Sequence, residues 1–225
     1  RQAFFGPGAE GGSRRRKLTE LLQAAGVPIQ PADKRRLFDL CRSTEHQNVV
    51  LETGPYPYAT LDSLQDAERL LLLDNVEDPQ NVGAILRSAE IFGWPRVLLA
   101  NRGVPPLYPS VIKASAGAAE HLQVARDRTA NDYVKALLPL GFTLAALDAR
   151  GREDVRRLAE RRPKKLLLVI GGEHRAVGQH ILNQAHHRVH IPQQGRIASL
   201  NASVAAGLAL FLLNPPVPAS GAPPA

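Results

Sequence analysis

The 225-residue chain reads as an α/β protein built on a parallel sheet. Three observations predict this. From residue 70 onward, short apolar runs alternate with helix-length amphipathic ones, the order of repeated βα units. The apolar runs at 70–74 and 165–170 are nearly continuous, as in strands buried on both faces. Three of the strand ends lead through polar or Gly-rich turns toward helices, the place where open α/β folds bind ligands.

The elements follow in order. Phe4 and Phe5 end a first strand, and residues 6–13 read as loop. Arg14, Arg15, Arg16 and Lys17 either meet phosphates or form a solvated loop. Leu18, Leu21, Leu22 and Ala25 carry helical spacing, closed by Gly26. Residues 27–29 form a short strand, and residues 32–42 a helix with Leu37, Leu40 and Cys41 inward and Lys34, Arg35, Arg36 and Arg42 outward. A strand at 48–52 follows His46 and Gln47. Residues 54–67, with two prolines and two tyrosines, read as a linker. Tyr56 and Tyr58 either stack on bases or pack against the linker.

Beyond it come strand 70–74, helix 81–92, strand 96–100, helix 110–119 and strand 121–124. Helix 131–138, strand 143–147, helix 153–161 and strand 165–170 continue the series. Helix 179–185, strand 188–191 and a last helix rich in small residues complete it, before a Pro-rich tail at 214–225.

Composition narrows the class. With 44% hydrophobic residues the chain can fill a core, and its size allows one large or two small domains. The last helix carries Gly207, several alanines and a polar start, and reads as a core helix rather than a membrane span. Cys41 is the single cysteine, which excludes an intrachain disulfide and a cysteine-based zinc site. A net charge of +7 suits a polyanionic partner, nucleic acid first. The N-terminus shows no signal-peptide pattern. The chain begins at Arg1 and contains no Met, so it reads as a fragment, a processed form or a trimmed form. No Gly-x-Gly-x-x-Gly follows a strand, and neither a Walker A loop nor a Gly-x-Ser-x-Gly elbow is present. His186, His187 and His190 lack a neighbouring carboxylate in the sequence pattern, which favours a surface or RNA-facing role over metal ligation.

Three stretches carry the chemistry. The first runs from Asn81 through Gly83 to Arg87, Ser88 and Ala89. The second is Gly171-Gly172-Glu173. The third runs from Ile191-Pro192 to Ser199-Leu200-Asn201-Ala202-Ser203. Ser199 and Asn201 are good N-cap types and sit where free helix N–H groups point. They serve either as caps alone or as site residues.

These motifs, in this order over residues 68–213, resemble the SpoU/TrmH RNA ribose 2′-O-methyltransferases of the SPOUT superfamily. The resemblance implies a SPOUT fold with a C-terminal trefoil knot, S-adenosylmethionine as cofactor, no metal, and a homodimer whose active site is completed across two subunits. It implies Arg87 as the residue that activates the 2′-OH, with Asn81, Glu173, Ser199 and Asn201 around it. Arginine is normally protonated, so its conservative role is to stabilise the developing alkoxide and grip a phosphate. Glu173 either accepts hydrogen bonds from the motif loops or holds Arg87. Asn81 starts its helix and either caps it or orients the loop. Gly171, Gly172, Ile191, Leu200 and Leu147 are implied as cofactor contacts, made largely through backbone groups. The family commonly has glycines where His174 and Ala176 stand, and a positive φ at either would cost about 1 kcal/mol or more.

Residues 1–53 resemble, more weakly, the later half of an L30e-like substrate-binding domain. That domain and the His46-Gln47-Asn48-Val49-Val50 stretch are similar to enzymes that modify guanosine in ribosomal RNA, with tRNA the nearest alternative substrate. The rival from another class is a non-catalytic RNA-binding or ribosome-assembly factor. The expected compartment is the cytoplasm in a bacterium or the mitochondrial matrix in a eukaryote.

Overall fold

The computed structural model describes residues 1–7, 12–197 and 199–214. The chain divides into two compact units, Arg1–Pro57 and Tyr58–Ala225.

The first unit runs β1 (Gln2–Phe5), α1 (Ser13–Ala24), β2 (Ile29–Pro31), α2 (Lys34–Cys41) and β3 (Val49–Glu52). Its sheet has the order β2-β1-β3, with β1 parallel to β2 and antiparallel to β3. Ala3, Phe5 and Leu22 form a small core, with Leu18, Val27, Ile29 and Val49 packed against it.

Three local expectations change here. The basic run 14–17 lies in the first turns of α1, because the Gly12 carbonyl accepts from the amides of Arg15 and Arg16. Arg15 lies over the Phe5 ring, 4.2 Å from its centroid, which anchors that cation on the sheet. Leu21 is exposed, so the core-facing stripe of α1 narrows to Leu18 and Leu22. The strand expected at 27–29 begins at Ile29. Gly26, at φ +64°, lets its amide reach the Gln23 carbonyl and that of Val27 reach Leu22, a Schellman closure that uses Val27 as a helix stop. Leu37 is buried as expected, and the half-buried Cys41 thiol donates to the Leu37 carbonyl at 3.2 Å. Part of the expected first loop, residues 8–11, lies outside the described residues.

The second unit opens with a 3-10 turn, Leu61–Ser63. It continues through β4 (Arg69–Asp74), α3 (Pro79–Ile91), β5 (Arg96–Leu99), α4 (Pro109–Ala114), β6 (Gln123–Ala125) and α5 (Ala130–Leu137). Then come β7 (Thr143–Leu147), β8 (Glu153–Asp154), α6 (Val155–Arg161), β9 (Leu166–Gly171), α7 (Gln179–Gln184), β10 (His187–His190) and α8 (Ala202–Leu213). The seven strands lie in the order β6-β5-β4-β9-β7-β10-β8, and every pairing is parallel. The α/β parallel-sheet expectation is therefore met. Leu70, Leu71, Leu72 and Leu73 are all fully buried. Successive strand residues point to opposite faces, so both faces of the sheet are covered.

The stretch expected as linker divides. Leu61 and Leu64 are buried, and the Tyr58 hydroxyl accepts from the Leu107 amide at 2.7 Å. From Tyr58 on, this segment is built into the second unit, which favours packing over base stacking for Tyr58. The helix expected at 110–119 breaks after Ala114, where Ala116 and Gly117 take φ of 52° and 91° before a 3-10 turn at Ala118–His121. The helix expected at 153–161 starts at Val155, because Glu153 and Asp154 pair with Val189 and His190 as an edge strand. Asp154 then caps the helix, accepting from the Arg156 amide. Among the described residues no helix is long and apolar enough to cross a membrane. The Pro-rich tail beyond Asn214 lies outside the described residues.

Helices α3 and α4 touch through a glycine. A Cβ on Gly83 would stand 2.4 Å from the Ala114 Cβ and 2.8 Å from the Ser115 amide nitrogen. Gly83→Ala must push backbone apart, and overpacking of this kind costs about 1–3 kcal/mol. Urea unfolding of this variant is expected to show that loss.

Candidate active site

The candidate site is built where β4, β9 and β10 end. Helix α3 carries the first motif. It starts two residues earlier than expected, with Pro79 in its first turn and Asp78 as its cap, the Asp78 carboxylate accepting from the Gln80 amide at 2.9 Å. Asn81 is therefore not the cap. Its side chain is free to face other loops.

The second motif leaves β9 at Gly171 and folds back at once. A Cβ on Gly171 would lie 2.3 Å from the Val177 amide nitrogen, and one on Gly172 would lie 2.0 Å from the Asn75 carbonyl oxygen. These glycines admit the close approach of the protein's own backbone. The fold-back is held from β4. Asp74, only 7% exposed, accepts from the Gly178 amide at 2.8 Å. Asn75, at φ 57°, donates its side-chain amide to the Ala176 carbonyl at 3.2 Å. His174 and Ala176 both lie outside the positive-φ region, so the strain considered for their replacing glycines does not arise.

The third motif ends at Asn201, which caps α8. Its Oδ1 accepts from the amides of Ser203 at 3.0 Å and Val204 at 3.3 Å, and from the Ser203 hydroxyl at 2.6 Å. Its Nδ2 donates to Glu173 Oε1 at 2.5 Å and to Asn81 Oδ1 at 3.0 Å. Asn81 Nδ2 donates to the same Glu173 oxygen at 3.2 Å, and the Ala202 amide reaches it at 3.3 Å. One residue from each motif thus meets at a single carboxylate oxygen, beside the N-terminus of α8, whose positive dipole end favours negative charge.

The remaining expected residues are placed differently. Ser199 is exposed and makes no side-chain hydrogen bond among the described residues, so Asn201 alone does the capping. Arg87 is exposed and, among the described residues, has no hydrogen bond or ion pair. Glu173 is engaged by the two asparagines and does not hold Arg87. Leu147 pairs with Ile170 on one side and Val189 on the other. Leu147, Gly171 and Ile191 therefore lie at the carboxyl ends of three neighbouring strands, β9-β7-β10. Leu200 stands exposed at 36%.

The histidines are not free of carboxylates. His187 Nδ1 lies 2.7 Å from Glu153 Oε2, because the edge strand β8 brings Glu153 alongside β10. His186 Nδ1 accepts from the Leu144 amide at 2.8 Å, a structural bond. Asp154, beside His190 in the register, is held down to a pKa of about 2 by the side-chain hydrogen bonds from Arg156. Among the described residues no group of three His, Cys, Asp or Glu side chains is arranged to hold a metal ion. Sequence reasoning missed Asp74 and Asn75. The available signal was an apolar strand ending in two polar residues with turn propensity.

The SpoU rRNA Methylase family model matches residues 68–211, and a model for RNA 2′-O ribose methyltransferase substrate binding matches residues 1–59. A Bacillus subtilis protein whose name places it among TrmH family tRNA/rRNA methyltransferases is 35% identical over 202 residues, covering 87% of this chain and 80% of the relative. An uncharacterized tRNA/rRNA methyltransferase of Archaeoglobus fulgidus is 37% identical over 211 residues, covering 90% and 88%. The crystal structure of the SpoU methyltransferase AviRb from Streptomyces viridochromogenes superposes with a TM-score of 0.75 at 25% identity, covering 95% of this chain and 80% of that one. An AdoMet-bound rRNA methyltransferase from Sinorhizobium meliloti shares the fold at a TM-score of 0.77 and 23% identity, covering 95% and 78%. The chain belongs to the SpoU rRNA methylase family.

Burial raises the Asp74 carboxyl pKa, and the hydrogen bond from Gly178 opposes it. A carboxyl raised on folding penalises the native state above its folded pKa, and the penalty vanishes below the unfolded one. Asp74→Asn keeps an oxygen for Gly178. The stability difference between variant and wild type should therefore move in the variant's favour from pH 4 to pH 7, read by urea unfolding at both pH values.

Proposed function

We propose that the protein is an S-adenosylmethionine-dependent RNA methyltransferase that acts on a ribose 2′-OH, with guanosine in large-subunit ribosomal RNA as its substrate. The observation that carries this reading is the joining of all three motifs at Glu173 Oε1. A non-catalytic RNA-binding factor would have no need to hold Asn81, Glu173 and Asn201 in one network.

The residues present suit the cofactor. Leu147, Gly171, Gly172, Ile191 and Leu200 offer apolar side chains and backbone at the ends of adjacent strands. Among the described residues, no amide from Gln193 to Leu200 donates to a backbone carbonyl, so the third-motif loop has backbone groups to offer an adenosine. When bound, S-adenosylmethionine supplies an electrophilic methyl group on a sulfonium.

The chain's own residues then have distinct tasks. The unpaired Arg87 guanidinium stabilises negative charge on the 2′-oxygen as its proton passes to solvent water, and grips the neighbouring phosphate. Donors fixed in advance toward developing charge are worth about 3–4 kcal/mol each in other enzymes. Glu173, Asn81 and Asn201 hold the loops that orient the ribose, and Ser199 lies on the same loop. Holding the hydroxyl in line with the methyl group is itself a large part of the acceleration.

The proposal includes a trefoil knot through the second unit and a homodimer. Support for the dimer comes from an apolar surface. Val204, Leu208 and Phe211 recur along one face of α8 and are 51%, 41% and 61% exposed. Phe211 meets Phe92 at the end of α3 in a tilted pair with ring centroids 5.6 Å apart, and Ile91 beside it is 61% exposed. A second copy covering this face would also bring further groups toward the exposed Arg87. The first unit, with the family's substrate-binding sequence, would present the RNA.

Arg87→Ala is expected to abolish transfer of labelled methyl from S-adenosylmethionine to ribosomal RNA while leaving cofactor affinity in calorimetry unchanged. Undiminished turnover would remove Arg87 from the chemistry. Light scattering should give about twice the 24.4 kDa chain mass, and Phe211→Asp should halve it.

A further inference from the structure

The first unit contains a cleft that the methyl-transfer chemistry does not use. Its volume is about 560 Å³, and it is lined by Lys34, Arg35 and Phe38 of α2 and by His46 and Gln47 of the turn before β3. The lining contains two cations and no carboxylate. Lys34 and Arg35 are exposed and, among the described residues, unpaired, unlike the neighbouring Arg36 over Phe4 and Arg42 beside Asp39. Phe38 is 41% exposed, a large apolar cost at a polar surface.

The turn that forms the other wall is strained. Val49 N donates to the His46 carbonyl at 2.9 Å, closing a four-residue turn. Both central residues, Gln47 and Asn48, have positive φ, 49° and 59°. Such turns favour Asn-Gly, and a glutamine at the first position costs free energy. The turn is pinned from both sides. The Asn48 amide donates to His46 Nδ1 at 3.0 Å, and the Gly6 amide donates to the Asn48 carbonyl at 2.8 Å. The first bond fixes His46 with Nδ1 as acceptor, which leaves Nε2 as the nitrogen that carries the proton in the neutral ring. Gln47 makes no side-chain hydrogen bond among the described residues, so its amide is open to a partner. Strain of this kind persists where surrounding structure over-determines it, and it clusters at ligand sites.

From the juxtaposition of Phe38, the Lys34–Arg35 pair and the pinned Gln47 turn around one cleft, we infer that this cleft binds an unpaired nucleotide of the substrate RNA. The base stacks on Phe38, its edge meets Gln47 and His46, and the flanking phosphates meet Lys34 and Arg35. Every base has a π-face, so stacking on Phe38 gives affinity for single strands, and amide groups at the base edge add selectivity. In duplex RNA the bases are stacked and paired, so no face is available to Phe38. The inference rests on the RNA-methyltransferase reading and narrows its substrate to RNA with a single-stranded element beside the target.

The test uses the full chain and two fluorescein-labelled probes, a 12-nucleotide mixed-sequence single strand and the same strand annealed to its complement. Anisotropy titrations compare wild type, Phe38→Ala, Phe38→Trp and the double variant Lys34→Ala/Arg35→Ala, with circular dichroism to verify folding. Wild type should prefer the single strand. Phe38→Ala should weaken that binding about tenfold without altering its salt dependence, and Phe38→Trp should retain it. The double variant should lower the slope of log affinity against log salt by about 1.4. A folded Phe38→Ala that binds single strands as tightly as wild type overturns the cleft assignment and leaves the methyltransferase reading standing. Failure of wild type to bind either probe likewise overturns the cleft assignment, and calorimetry with S-adenosylmethionine on the same sample tests the methyltransferase reading separately.

Discussion

The site depends on the join between the end of β4 and the loop that leaves β9. Asp74 and Asn75 hold the 172–178 segment by its backbone, and Gly172 lets that segment press against the Asn75 carbonyl. A side chain at either Gly171 or Gly172 would open the join. Glu173 follows directly on the join, and Asn81 and Asn201 reach it from two helix starts that are far apart in sequence. The cost of burying Asp74 is accepted where it fixes the segment that carries Glu173, a local compromise of stability in favour of geometry.

Most of the fold was legible because parallel sheets leave a plain signature. Both faces are covered, so strands such as Leu70–Leu73 and Leu166–Ile170 read as unbroken apolar runs. Errors fell at ends, where a hydrogen bond rather than periodicity decides. Asp78, not Asn81, caps α3; Val27 closes α1 instead of starting a strand; Glu153 and Asp154 join the sheet edge. None of these is a hydrophobic event, so a hydrophobic pattern could not reveal it. The same blindness hid the His187–Glu153 pair, whose members are 34 residues apart and meet only through sheet order.

The site divides in the same way. Motif identity brought out Asn81, Glu173 and Asn201, and the structure joins them. Arg87 and Ser199 belong to the same motifs yet stand exposed and unpartnered within the described chain. An arginine whose task is to meet an absent phosphate or a developing alkoxide should have no internal partner, because a carboxylate clamp would neutralise it. The sequence left open whether Glu173 holds Arg87 or accepts hydrogen bonds from the motif loops, and the geometry shows the second. The apolar face of α8 was equally hidden: its uniform apolar composition reads as a core helix, and only burial separates the buried half from the exposed half that carries Val204, Leu208 and Phe211.

The most direct test of the join as the support of the site is calorimetric titration of S-adenosylmethionine into wild type and Asn75→Ala, both verified as folded. Wild type is expected to bind saturably near one per chain, and binding should be at least tenfold weaker once the Asn75 side chain no longer holds the Ala176 carbonyl. No binding by folded wild type at millimolar cofactor, or equal affinity in the two proteins, would contradict that role of the join.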